Sequence, residues 1–99
     1  MVLKTQKNAS ELTVGLSGEL NAVSAPELSA LLDSELSNIQ SLVLDFTDCD
    51  YVSSAGLRVL LAAFKQLKAV KGHMRLTHVG EVFMEVLENT GLDAVFDIE

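Results

Sequence analysis

Two adjacent hydroxyls, Ser53 and Ser54, open the run Ser53-Ser54-Ala55-Gly56 and are the groups best placed to do chemistry in this chain. The run lies between a short apolar block, Leu42-Val43-Leu44-Asp45-Phe46, and a longer segment in which Leu57, Leu60, Leu61, Phe64 and Leu67 recur at helical spacing. A hydroxyl at such a junction has two roles open to it. It can cap the helix, its oxygen accepting a hydrogen bond from an orphaned backbone N–H. It can also accept a phosphoryl group, because the free N–H groups and positive dipole end of a helix N-terminus accommodate an anion. A phosphate on Ser54 adds about −1.5 to −2 charges without melting the helix. A switch of that kind acts on a partner's surface rather than on the protein's own fold. Ala55 and Gly56 are small, which lets a partner approach the backbone closely.

The other reactive side chains form no comparable constellation. Asp45, Asp48 and Asp50 are a carboxylate cluster of a type that hard cations use. A phosphoaspartate receiver also places an acid at the end of a central strand, but it needs an acidic pair near its start and a basic partner on a later strand. No such set is present, and the three read as solvated loop carboxylates. His73 and His78 fall at opposite ends of one strand, with no Cys or carboxylate at ligand spacing and no nucleophile beside them. No glycine-rich phosphate loop occurs. Met74, Phe83 and Met84 have the spacing of core residues. The single Cys49 excludes an internal disulfide or a multi-cysteine zinc site and reads as a half-buried loop residue. The pattern is that of a non-enzyme with no cofactor and no metal.

Composition narrows the partners. At 99 residues, of which 48% are apolar, the chain reads as a single domain, 1–99, with a core of its own. A net charge of −7 argues against nucleic acid, since backbone binding needs clustered Lys and Arg. No apolar run approaches the length of a membrane span, and Met1-Val2-Leu3-Lys4-Thr5 has no signal-peptide core. The expectation is a soluble cytoplasmic protein with no direct membrane insertion.

The elements that must position the serines follow from periodicity. Val2 to Lys7 reads as an edge strand, Asn8-Ala9-Ser10 as a turn, and the segment from Glu11 as a strand with Leu12, Val14 and Leu16 on its buried face. Gly18 to Ala22 is a loop. Ser24 as N-cap with Glu27 makes a capping box, Val23 and Leu28 are placed for a hydrophobic staple, and Pro26 sits in the first turn of a helix over about 25–37. Leu28, Leu31, Leu32, Leu36 and Ile39 are its apolar stripe. Ser41 to Phe46, nearly continuous in apolar character, predicts a central parallel strand buried on both faces. The helix after Ser54 gathers Lys65, Lys68 and Lys71 toward its end, with Gly72 as the stop. His73 to His78 is a strand with Met74 and Leu76 inward and Arg75 and Thr77 outward. A last helix, Glu81 to about Asn89, puts Val82, Phe83, Val86 and Leu87 inward and ends at Gly91. Ala94 to Ile98 makes one more short strand. The sum is an α/β fold, a mixed β-sheet of four to five strands packed with about three helices.

These elements carry a resemblance. Asp50-Tyr51-Val52-Ser53-Ser54-Ala55-Gly56-Leu57, after an apolar strand and before a Leu-rich helix, resembles the signature of STAS-domain anti-sigma factor antagonists. Gly18 through Leu28 is similar to that family's first loop and helix start, and Glu88-Asn89-Thr90-Gly91-Leu92 to its last turn. The likeness covers essentially all 99 residues, ending where many members carry another helix. It implies a phosphorylation-controlled binding protein. When unphosphorylated, such a protein docks on an anti-sigma factor that is also an ATP-dependent serine kinase, and so frees a sigma factor. A metal-dependent serine phosphatase reverses the modification. The family's phosphoacceptor falls on Ser54, and Asn21, Ser53, Gly56 and Arg58 are expected to line the contact surface. Ser53 and Asn21 stand where the family usually has aspartate, so negative charge is removed beside the acceptor. The same fold also serves as a regulatory or assembly subunit of membrane transport complexes. With no phosphate cycle of that kind, the serine would be only a cap.

Overall fold

In the computed structural model, which describes residues 1–99, β1 (Val2–Asn8) and β2 (Glu11–Ser17) form the expected antiparallel hairpin. Val2 lies opposite Ser17 and Asn8 opposite Glu11, and Ala9 turns the chain with a φ of 56°. The chain then alternates through α1 (Ala25–Glu35), β3 (Ser41–Asp48), α2 (Ser54–Ala69), β4 (His73–Thr77), α3 (Glu81–Thr90) and β5 (Asp97–Ile98). The sheet runs β1-β2-β3-β4-β5, with β2 to β5 parallel. Single turns of 3-10 helix follow α1 at Leu36–Asn38 and α3 at Leu92–Ala94.

All three helices pack on one face. Leu12, Val14 and Leu16 of β2, Leu42, Leu44 and Phe46 of β3, and Met74 and Leu76 of β4 join Leu28, Leu32, Leu60, Leu67, Phe83 and Leu87 in one continuous core. The Phe46 and Phe83 rings, with centroids 5.0 Å apart, tie β3 to α3. The opposite face is uncovered. The expectation that β3 is buried on both faces is therefore corrected: Asp45 is only half-buried, and Thr13, Gly15 and Ser17 alternate onto the same open side. Val43 is buried there between neighbouring strands without joining the core, so an apolar run here reflects a central position in the sheet rather than a second layer. Thr77, expected outward, is buried as well. No helix is long and apolar enough to cross a membrane.

Two helices differ in detail from their sequence reading. α2 stops in a Schellman arrangement in which Lys71 takes the left-handed position, φ 59°. The Gly72 N–H donates to Leu67 O at 2.7 Å and the Lys71 N–H to Lys68 O at 3.0 Å. Gly72 is needed for another reason: a Cβ there would stand 2.6 Å from Gln40 O, where the chain packs against the start of β3. In α3, Phe83 and Leu87 are buried as expected, but Val82 is 60% exposed, because it falls off the inward stripe. Gly91 ends α3 with φ 77°.

Candidate functional site

The carboxyl ends of β2 and β3 carry two loops that are zipped together by backbone. The Gly18 N–H donates to Asp48 O at 3.0 Å, the Leu20 N–H to Tyr51 O at 3.0 Å, and the Ser53 N–H to Leu20 O at 2.8 Å. Leu20 and Val52 pair as an isolated parallel bridge and are both buried. This buried pair anchors the two loops to each other. This brings Asn21, at the head of α1, beside Ser53 and Ser54, at the head of α2.

Ser53 is the N-cap of α2. Its backbone is extended, at φ −84° and ψ 175°, its Oγ accepts from the Gly56 N–H at 3.5 Å, and its carbonyl accepts from the Leu57 N–H at 2.9 Å. Ser54 is the first residue of α2 and is exposed. Its hydroxyl stands free at the positive end of a 16-residue helix, with no basic side chain bonded to it. Of the two hydroxyls, only that of Ser53 is engaged in capping the helix.

Asn21 performs the same capping service for α1. Its Oδ1 accepts from the N–H groups of Val23 at 3.0 Å and Ser24 at 3.1 Å, and its own N–H donates to Ser24 Oγ at 2.9 Å. That reciprocal pattern is a capping box formed by Asn21 and Ser24. The expected box of Ser24 with Glu27 is corrected: Ser24 is already helical, at φ −90° and ψ −21°, makes no cap of its own, and donates its hydroxyl to Glu19 O at 2.6 Å. The helical turn begins three residues earlier than composition suggested. The Val23–Leu28 staple fails with it, since Val23 is 86% exposed.

Gly56, expected on the contact surface, is buried. A Cβ at this position would stand 2.7 Å from Leu20 Cγ and 2.9 Å from Val52 Cγ1, so its smallness lets α2 sit down on the two loop anchors. Arg58 lies one turn after Ser54, exposed and in no ion pair. Two residues of this surface escaped the sequence reading. Val23 and Tyr51, 86% and 46% exposed, stand on the two zipped loops as apolar surface. The available signal was their placement two residues from Asn21 and from Ser53, in loops rather than in a strand or helix.

The remaining candidates lie elsewhere or are occupied. Asp45 points to the uncovered face and is no free loop carboxylate. It accepts from Thr47 N–H at 3.0 Å, Thr47 Oγ1 at 2.6 Å and His78 Nδ1 at 3.1 Å. The Thr47 hydroxyl chiefly, against an opposing effect of burial, holds its carboxyl below the usual range. A hollow of about 310 Å³ beside it, whose lining includes Lys4, Gln6, Thr13, Ser17, Asp45 and Thr47, does not reach Ser53 or Ser54. Asp48 and Asp50 are exposed. Cys49 is buried rather than half-buried; burial chiefly pushes its thiol pKa up, and its Sγ donates to Tyr51 O at 3.5 Å. Nowhere do three or more His, Cys, Asp or Glu side chains gather in a way that could hold a metal ion.

Comparison with known proteins places this architecture. The STAS domain family profile matches residues 1–99. BtrV of Bordetella bronchiseptica, which carries the assignment of anti-sigma factor antagonist, is 35% identical over 99 residues, covering 99% of this chain and 85% of BtrV. The anti-sigma-B factor antagonist of Bacillus subtilis is 29% identical over 93 residues, covering 94% of this chain and 85% of its own. Among solved structures, the anti-sigma factor antagonist SpoIIAA in its unphosphorylated form superposes with a TM-score of 0.87 at 17% identity, over 99% of this chain and 88% of that one. The phosphorylated form of the Bacillus cell fate determinant SpoIIAA gives 0.80 at 17% identity, over 99% and 91%. At that identity the two structures establish the fold.

Proposed function

The chain belongs to the STAS domain family, and from that membership we propose that it is an anti-sigma factor antagonist whose docking is switched by phosphorylation of Ser54. Unphosphorylated, the surface formed by the two zipped loops and the head of α2 binds an anti-sigma factor, which then releases its sigma factor in the cytoplasm. The anti-sigma factor doubles as an ATP-dependent kinase. Its reaction forms a bond between Ser54 Oγ and the γ-phosphorus of ATP and breaks the bond from that phosphorus to the bridging oxygen, with ADP leaving. The hydroxyl proton passes to a base on the kinase, since Ser54 has none of its own. A serine phosphatase restores the hydroxyl by hydrolysis.

The observation that carries this reading is the division of labour at the α2 head. With Ser53 holding the cap, Ser54 can be modified without unmaking the helix. Asn21 and Ser53 are neutral caps on the two zipped loops, and Val23 and Tyr51 supply exposed apolar area on the same loops. Relatives of 35% and 29% identity over nearly the whole chain, which carry the assignment of anti-sigma factor antagonist, support the partner class, and SpoIIAA, which shares the fold, exists in phosphorylated and unphosphorylated forms. The energy scale is sufficient: tenfold in affinity is about 1.4 kcal/mol, and an unpaired charge left in an interface costs about 3–5 kcal/mol. Incubation with the cognate anti-sigma kinase and ATP, followed by mass spectrometry, tests the assignment. One phosphate on wild type and none on Ser54→Ala is expected; equal modification of the two, or none of the wild type, would overturn it.

A further inference from the structure

We infer that Arg58 is an internal clamp for the phosphate on Ser54, drawing it back over the first turn of α2. The inference rests on Ser54 being the phosphoacceptor and deepens that reading. Residues four apart on a helix are surface neighbours, and a helical side chain leans toward the N-terminus, over the turn that precedes its own Cα. Arg58 therefore covers the turn that begins at Ser54. The order is the favourable one, with the anion N-terminal to the cation. Arg58 is the only cation in α2 before Lys65, is exposed, and has no acidic partner to give up. Its planar guanidinium can present two N–H donors to a phosphate. The N–H groups of the first turn add to the pull, although the one of Gly56 is already taken by Ser53 Oγ. Acting against the phosphate are Glu19 on the β2–α1 loop and Asp50 on the β3–α2 loop, both exposed. A clamped phosphate lies along the helix that carries it, its charge partly matched from within the protein.

The test separates this role from the acceptor assignment by installing phosphoserine at position 54 genetically, without a kinase. The second ionisation of the phosphate, ordinarily near about pH 6, is then followed by phosphorus NMR in wild type, Arg58→Gln and Arg58→Lys. Because a neighbouring cation favours the dianion, the midpoint in wild type should lie below that of Arg58→Gln by about 0.3 pH units at low salt. Arg58→Lys should recover part of the gap, and about 1 M salt should close it. Helix-dipole effects are common to all three proteins and drop out of the difference. Superimposable wild-type and Arg58→Gln titrations at low salt would overturn the clamp while leaving Ser54 as acceptor untouched. Failure of the kinase reaction on unmodified protein would remove the acceptor assignment instead.

Discussion

At Ser53 the hydroxyl oxygen is engaged by the Gly56 N–H, while one residue later the Ser54 hydroxyl stands in solvent. Substitution by alanine should separate them. Ser53→Ala removes a cap and should lower stability by about 0.5–1 kcal/mol, since the bond is long, which is a fall in melting temperature of about 4 °C. Ser54→Ala, followed by the same thermal denaturation, should stay within about 0.5 kcal/mol of wild type, as exposed positions without partners do. The reverse ranking would mean that the capping assignment is exchanged. The same physics bears on the departures that the family resemblance implies at Ser53 and Asn21. Both positions are N-caps, where Asp, Asn and Ser are close to interchangeable, so charge is lost there without loss of the helix starts. From sequence, Ser54 was singled out by motif, whereas its freedom from capping became visible only with the hydrogen bonds of its neighbour. Gly56 reads differently for a comparable reason. A small residue in a motif suggests approach from outside, and only the fold brings Leu20 and Val52 beneath it.

At the scale of elements, hydrophobic period located each strand and helix, while their ends followed backbone conformations that period does not encode. Three helical turns of apolar stripe placed α1 correctly, yet its cap lies at Asn21 because that side chain, not Ser24, faces the free N–H groups. At the other end of α2, glycine drew attention to position 72, but Lys71 holds the left-handed conformation and position 72 is small to admit Gln40. Two neighbouring positions with different demands cannot be told apart from one glycine. The misplacement yields a stability prediction. A left-handed conformation costs a side-chain-bearing residue about 1–2 kcal/mol, part of which glycine returns through its freer unfolded chain. Lys71→Gly, an exposed substitution, should therefore raise stability by about 0.5–1 kcal/mol in denaturant unfolding. A decrease would mean that Lys71 makes a compensating contact absent from the structure described above.

At the scale of the whole molecule, three helices cover one face of a five-stranded sheet and leave the other open. The apolar run of β3 concealed this, because a central strand collects β-branched and aromatic residues from strand pairing as well as from layers. The arrangement bears on the proposed switch. The loops that hold the serines issue from the carboxyl ends of adjacent parallel strands and are bonded to each other, so their geometry is set by the fold. A phosphate on Ser54 should then change affinity and leave the fold as it is. The decisive measurement is calorimetric titration of the cognate anti-sigma factor with unmodified protein and with protein carrying phosphoserine at position 54, beside melting curves of both. Binding at least about tenfold weaker for the phosphoprotein, with melting temperatures within about 2 °C, is the expected result. Equal affinities, or a phosphoprotein that binds poorly because it has unfolded, would contradict a switch that works at the surface.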